Sequence, residues 1–306
     1  MPTSTLRLDG RVAVVTGSGR GLGRAYALAL ADAGAAIIVN DIDRQSAAET
    51  VAQIESGGGK VVLELGAVGE TATAERLVAR AVEAFGRLDV MLANAGVLRD
   101  RVLWKMTDED FDTVIDTHLR GSFTCARAAA IRMREQGDGG RIILVGSTAG
   151  QYGNFGQTNY AAAKAGIVAF ARTWALELAR FRITVNAIVP TAWTAMTASI
   201  PAFAPLAERV AAGEPLPAEL LRRHAIGTPE DCAPLAVFLA SAAASTVSGQ
   251  AIGIGADKLT LYSLSRELVA ARREEGWNAE AIAAEWPATF APQIQPYGID
   301  LDRSEV

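Results

Sequence analysis

The 306-residue chain contains only two cysteines, Cys125 and Cys232. Both sit in apolar surroundings, which excludes a disulfide framework or a cysteine-built metal site; they read as reduced core residues. No stretch reaches about 18 uncharged apolar residues, so no membrane-spanning helix is expected. The first residues, Met1 to Gly10, lack the apolar run of a secretory signal. Basic blocks are missing too: with a net charge of −5 and a pI near 5.3, the chain is no electrostatic binder of nucleic acid. The final Ser304-Glu305-Val306 is not a peroxisomal address of the Ser-Lys-Leu type. No internal repeat or low-complexity linker interrupts the chain. The expectation is a cytoplasmic protein that engages neither nucleic acid nor membrane and binds no metal.

What is present is apolar substance in an alternating order. At 50% hydrophobic, the chain can bury one large α/β core. Short apolar runs at 11–15, 35–39, 60–65, 88–92, 141–146, 183–190 and 247–254 read as strands. Helical stretches separate them, at 47–55, 71–85, from Thr107 onward, around Tyr160, and from Thr228 to Ala240. Such alternation predicts a parallel sheet with helices on both faces. Between 191 and 226 the pattern loosens, with Pro201, Pro205, Pro215 and Pro217 interrupting it, as a substrate lid does. Beyond Asp257 a tail carrying Tyr262, Trp277 and Trp286 is expected to pack on the body or a second subunit, or to close the pocket.

The first strand runs into Thr16-Gly17-Ser18-Gly19-Arg20-Gly21-Leu22-Gly23 and then a helix. Glycines in such a turn let the backbone approach a pyrophosphate, while the N–H groups and positive dipole end of the helix hold it. Asp41, 24 residues after Gly17 at the end of the second strand, can accept hydrogen bonds from an adenosine ribose. It repels a 2′-phosphate, so NAD is favoured over NADP, although Arg20 in the turn pulls the other way. The competing reading of Asp41 is a turn or helix-cap residue. The small residues of Asn94-Ala95-Gly96, after the fourth strand, let a cofactor lie against the backbone.

Ser147 ends the strand at 141–146, at the edge where open α/β sheets place their ligands. Tyr160 and Lys164 are four residues apart in an Ala-rich helix and share one face. An ammonium near the phenol favours the phenolate and lowers a pKa of about 10 toward a working pH, which makes Tyr160 an acid/base candidate.

Together these pieces resemble the short-chain dehydrogenase/reductase superfamily over about residues 7 to 257. The resemblance rests on the Thr-Gly-x-x-x-Gly-x-Gly turn, Asn94-Ala95-Gly96, the set Ser147, Tyr160 and Lys164, and the Pro190 turn. More narrowly, Val39-Asn40-Asp41, Gly96 to Arg101, His118 to Phe123 and Tyr152 to Gln157 look like the (3R)-hydroxyacyl-CoA dehydrogenase units of multifunctional enzymes type 2, also called 17β-hydroxysteroid dehydrogenases type 4.

The resemblance implies one doubly wound Rossmann-type parallel sheet flanked by helices, in a domain at 1–257. A substrate-loop insertion lies at 191–226 and an extension at 258–306. It implies NAD held by Gly17, Arg20, Gly21, Leu22, Gly23, Asp41, Val68, Asn94, Gly96, Tyr160, Lys164, Pro190 and Thr194. The substrate is a small apolar molecule, a steroid or an acyl thioester. Its secondary alcohol is oxidised by Tyr160, with Lys164, Ser147 and His118 assisting, His118 in a proton relay. Leu98, Tyr152, Asn154, Phe155, Trp193 and Met196 are the expected substrate contacts, with Trp104 and Phe203 on the same loops. Relatives pair through the two long helices, so a homodimer or homotetramer is implied, with Phe170 and Trp174 at the contact.

The chain departs from the family where His118 replaces the usual Asn, where Gly66-Ala67-Val68-Gly69 lacks the usual Asp, and where Ala93 and Thr191 replace Asn and Gly. A different class, a catalytically idle NAD-binding sensor or scaffold, uses the same fold; the intact Ser, Tyr and Lys argue against it.

Overall fold

The computed structural model describes residues 6–198 and 203–299; Pro201 of the expected lid and both extreme termini lie outside them. Eight strands form one sheet in the order β3-β2-β1-β4-β5-β6-β7-β8. They are β1 (Val12–Thr16), β2 (Ala36–Asp41), β3 (Val61–Leu65), β4 (Val90–Ala93), β5 (Gly140–Val145), β6 (Ile183–Pro190), β7 (Ala251–Gly255) and β8 (Lys258–Leu261). β1 through β7 are parallel. The chain moves outward from β1 to β3, then returns to β4 on the other side of β1. That reversal opens a crevice at the carboxyl ends of β1 and β4.

Helices cover both faces. On one lie α1 (Gly21–Asp32) and α11 (Pro229–Ala240), packing Tyr26, Leu30 and Leu239 on Val15, Val39 and Ile188. On the other lie α3 (Thr71–Phe85), α5 (Gly121–Gln136) and α7 (Thr158–Leu178), packing Leu77, Met133 and Ile167 on Val14, Ile38 and Val185. Successive strand residues feed opposite cores, which is why these strands read as unbroken apolar runs. Cys125 and Cys232 are free and buried, one in each core. No described helix is long and apolar enough to cross a membrane.

α2 (Arg44–Ser56) starts three residues earlier than the sequence suggests, because Asp43 caps it by accepting from the Gln45 N–H at 3.0 Å. α4 (Asp108–Val114) begins at a capping box between Thr107 and Asp110. It then passes through a π-helical turn, Ile115–Arg120, before α5. α6 (Thr148–Tyr152) follows β5 at once. Among its described residues, the loosely patterned stretch holds the short α-helices α8 (Ala195–Ala198), α9 (Ala204–Ala211) and α10 (Ala218–His224).

The sheet does not stop at Asp257, nor is it wholly parallel. Ala256 and Asp257 form a tight turn, and β8 runs back antiparallel along β7, pairing Ile252 with Leu261 and Gly255 with Lys258. Ala256 takes the left-handed conformation that this turn requires, φ 45°. The first residues of the expected extension therefore belong to the body. Beyond them Tyr262 packs its ring 6.2 Å from that of Tyr152, and α12 (Ala279–Thr289) stacks Trp286 on Phe290. The chain then returns to the body, where the Gly298 N–H donates to the Tyr152 carbonyl at 2.7 Å.

Candidate active site

The β1–α1 turn is built by close approach. A Cβ on Gly17, which has φ +61°, meets Ala95 Cα at 2.7 Å, and one on Gly23 meets the Gly17 carbonyl at 2.0 Å. The Asn94 side chain stitches the end of β4 to this turn, donating to Thr16 O at 3.0 Å and Gly17 O at 3.1 Å. Thr16 Oγ1 accepts from the N–H groups of Asn94 and Ala95. Arg24, which no motif singles out, grips the turn from behind. Its Nε donates to Gly19 O at 2.9 Å, and its guanidinium pairs with Glu49 on α2.

No side chain caps the amino end of α1. Its free N–H groups lie at the switch point, beside a backbone that glycine keeps open, and suit a dinucleotide's pyrophosphate. Thr194 faces the same place, its Cγ2 lying 3.9 Å from where a Gly21 side chain would begin. Leu22 packs into the adjoining core, Val68 packs against Gly121, and Pro190 ends β6. Arg20 is exposed. Asp41 shows the turn character: Oδ2 accepts from Gly19 N–H at 2.9 Å, while Oδ1 accepts from Ile42 and Asp43 within its own turn.

Across the crevice, Ser147 follows β5 directly and caps α6 by accepting from the Ala149 N–H at 3.2 Å. Lys164, 3% exposed, donates to the Val145 carbonyl at 2.6 Å, and its ammonium lies 5.5 Å from the Tyr160 ring centroid. His118, 2% exposed, stands on the π-helical turn. Its Nε2 lies 2.8 Å from the Val97 carbonyl and 3.0 Å from the Val97 N–H, and its buried Nδ1 has no partner among the described residues. An added Cβ on Gly96 would meet the His118 ring at 2.3 Å, so the glycine makes room for the imidazole.

Burial dominates the electrostatics here. It pushes the Tyr160 phenol up to about 12; the hydrogen bond with Ser147 opposes this, and the Asp100 charge adds to it. Burial also lowers Lys164 to about 7. His118 is held well below its ordinary value by burial and then by the Lys164 charge, against the Val97 hydrogen bond. The ammonium is close to the phenol, as the four-residue spacing predicts. The acidified phenol expected from this proximity is not found, because burial is the largest influence on it and acts in the raising direction.

The expected substrate residues fall into two groups. Leu98, Asn154 and Phe155 lie on two loops joined where the Arg101 N–H donates to Gly156 O at 2.8 Å, with Trp104 in the short 3-10 turn Leu103–Lys105 and Tyr152 at the end of α6. Trp193 and Phe203, in the stretch expected to form a lid, meet edge-on 5.6 Å apart, with Met196 partly buried on α8. Phe155 and Trp104 are 84% and 77% exposed, so they stand in solvent rather than lining a buried slot. The clasp between the loops uses backbone and leaves those rings outside. An apolar groove of about 770 Å³ between α11, β7 and β8 contains none of these residues.

A doubly wound sheet with a glycine-built switch point and a Ser, Tyr, Lys constellation defines a class, and the comparisons agree. The short chain dehydrogenase family profile matches residues 11–203, and the chain belongs to that family. Among its relatives, the hydroxyacyl-CoA dehydrogenase ChsB1 of Mycobacterium tuberculosis is 41% identical over 273 residues, covering 85% of this chain and 82% of that protein. The peroxisomal multifunctional enzyme type 2 of Mus musculus is 38% identical over 294 residues, 92% of this chain. The same-named enzyme of Drosophila melanogaster is 47% identical over 204 residues, 64% of this chain. The chain spans only 37% and 33% of those two multifunctional enzymes. In structure it resembles a short chain dehydrogenase from Mycobacterium avium, with TM-score 0.80 and 35% identity, over 95% of this chain and 99% of the other.

Proposed function

We propose that this chain is an NAD-dependent oxidoreductase that interconverts a secondary alcohol and a ketone on a bulky apolar substrate of the (3R)-hydroxyacyl-CoA type. The observation that carries this reading is Tyr160 and Lys164 on one face of α7, with Ser147 beside the phenol at the carboxyl end of β5. The thioester substrate is supported by the relatives' names, hydroxyacyl-CoA dehydrogenase above all.

A bound nicotinamide dinucleotide supplies the hydride acceptor in oxidation. Tyr160 takes the alcohol proton at its phenolic oxygen, and Ser147 donates a hydrogen bond to the substrate oxygen. Lys164, with one donor on the Val145 carbonyl, keeps two for a cofactor ribose and the phenol side. Its charge favours the phenolate that burial disfavours. His118 takes the place of the family's Asn in passing the proton outward, through a ring nitrogen that no protein group occupies. The NAD preference is supported by Asp41 at the tip of β2, where a carboxylate repels a 2′-phosphate.

Residues 262–299 we read as an extension lying along the body beside Tyr152. A paired assembly is supported by an apolar patch shared by α5 and α7, where Phe170 stacks on Trp174 at 4.4 Å and Phe123 lies 38% exposed.

The test is NADH absorbance with (3R)-3-hydroxybutyryl-CoA, longer homologues and estradiol as substrates. Turnover of the thioesters, lost by orders of magnitude in Tyr160→Phe with dinucleotide binding retained, is the expected result. Dinucleotide binding without turnover on any secondary alcohol would mark an idle sensor instead.

A further inference from the structure

Asp100, on the loop after β4, aims its carboxylate at the amino end of α7. Its Oδ2 accepts from Gln157 Nε2 at 2.8 Å, whereas its Oδ1 is buried and meets no donor. Gln157, itself buried, accepts at Oε1 from Asn154 Nδ2 at 2.9 Å. A second side chain ties the Asp100 loop to α7: Asn159 Nδ2, in the helix's first turn, donates to Arg99 O at 3.2 Å and to Asp110 O on α4 at 2.9 Å. Asn159 directly precedes Tyr160 on α7 and accepts from its N–H at 2.7 Å, so these bonds fix the helical turn that carries the phenol.

A carboxylate only accepts. Gln157 must therefore turn its NH2 toward Asp100, which turns its carbonyl toward Asn154. Asn154 must answer with its own NH2, leaving its Oδ1 directed elsewhere. No donor among the described residues meets that oxygen, and Asn154 is only partly buried. Through two amides in series, one negative charge thus sets the sense of a third group at the rim: it is an acceptor. With a neutral amide at position 100, both orders of the chain become available.

We propose that Asp100 is a positioning residue for specificity, fixing Gln157 and Asn154 so that Asn154 Oδ1 accepts a hydrogen bond from an amide N–H of the substrate. The pantetheine arm of a coenzyme A thioester carries such a donor; a steroid carries none. The inference rests on the alcohol–ketone activity proposed above.

A matched pair of probes tests it: the N-acetylcysteamine thioester of (3R)-3-hydroxybutyrate, which has one amide N–H, and the S-ethyl thioester, which has none. The wild type should favour the first in kcat/KM by roughly tenfold, the worth of one such hydrogen bond. Asp100→Asn should bring that ratio toward one, chiefly through KM. Any change in kcat from losing a charge near Tyr160 strikes both probes and cancels in the ratio. Asn154→Ala should abolish the same preference, and the double variant should lose no more than Asn154→Ala alone. If Asp100→Asn fails to fold, Asn154→Ala on its partly exposed loop decides by itself. A ratio unchanged in the variants, a wild type indifferent to the N–H, or losses that add in the double variant would overturn the inference alone. Wild-type turnover of neither thioester, nor of the coenzyme A substrates, removes the proposed function with it.

Discussion

The imidazole of His118 stands edge-on to the phenol of Tyr160, 5.1 Å between ring centroids and 87° between planes. It reaches that position from the π-helical turn at Ile115–Arg120, whose extra residue shifts the side-chain face between α4 and α5. Helix α5 can then keep Cys125, Ala129 and Met133 in the core while His118 turns toward the crevice.

Gly96 is the counterpart of that placement. Gly96→Ala drives a methyl into the His118 ring and must displace it from Tyr160. Turnover should fall at least tenfold, and the protein should lose about 1–3 kcal/mol of stability, as overpacking does. Combining it with His118→Ala should restore most of the stability. Thermal melting and steady-state rates check both expectations, and an unaltered single variant would contradict them.

Stability should rise with pH from about 7 toward 9. Lys164 titrates near 7 when folded, against 10.5 as its ordinary value, so between them the unfolded chain binds the extra proton and rising pH favours the fold. The gradient is at most about 1.4 kcal/mol per pH unit. His118, pushed below 6.5, acts in the same sense under that pH. Above about pH 9 the sign reverses, because Cys125, Cys232, Tyr160 and Tyr262, all raised to about 12, keep protons that the unfolded chain has lost. Melting curves of wild type and Lys164→Met between pH 7 and 9 isolate the lysine: the variant should lose the rise and decline toward pH 9, as the thiols of the unfolded chain begin to ionise.

Asp41→Ala should erode the discrimination between the two dinucleotides, by tenfold or more in the ratio of kcat/KM values for NAD and NADP. It should also loosen the glycine turn, since the Gly19 N–H loses its acceptor. A ratio that does not move would assign Asp41 to its turn alone.

The position of β8 makes truncation informative. A chain ended after Asp257 loses four antiparallel partners of β7 and the Tyr262 ring that packs over Gly253. It should be less stable than one ended after Ser263 by roughly 1–3 kcal/mol, the worth of a few cross-strand pairs. Equal melting temperatures would show that the sheet closes without β8.

Much of this architecture is legible in the residues themselves. α3 begins at Thr71 and ends at Phe85, as its pattern predicts, and β6 spans Ile183–Pro190 likewise. Long, strongly patterned segments declare themselves because one physical force, burial of an apolar stripe, sets their period. The π-helical turn does not, since inserting a residue leaves composition untouched and becomes visible only once His118 has a neighbour to face. β8 stays hidden because its Lys-Leu-Thr-Leu is short and mostly exposed. Arg24 and Asp100 escape for a third reason: each acts through partners remote in sequence, Glu49 and Gln157, whose proximity is a property of the fold. The phenol's acidity cannot be read from spacing, because spacing reports a neighbour's charge and is silent on the loss of water.

The Asn94 amide, fastened to both Thr16 and Gly17, has a thermodynamic corollary. A loop already tethered by its neighbour strand has little wandering left to surrender when a dinucleotide arrives. Calorimetry should accordingly record only a slight entropic penalty on association, and Asn94→Ala should enlarge that penalty more than it diminishes the enthalpy.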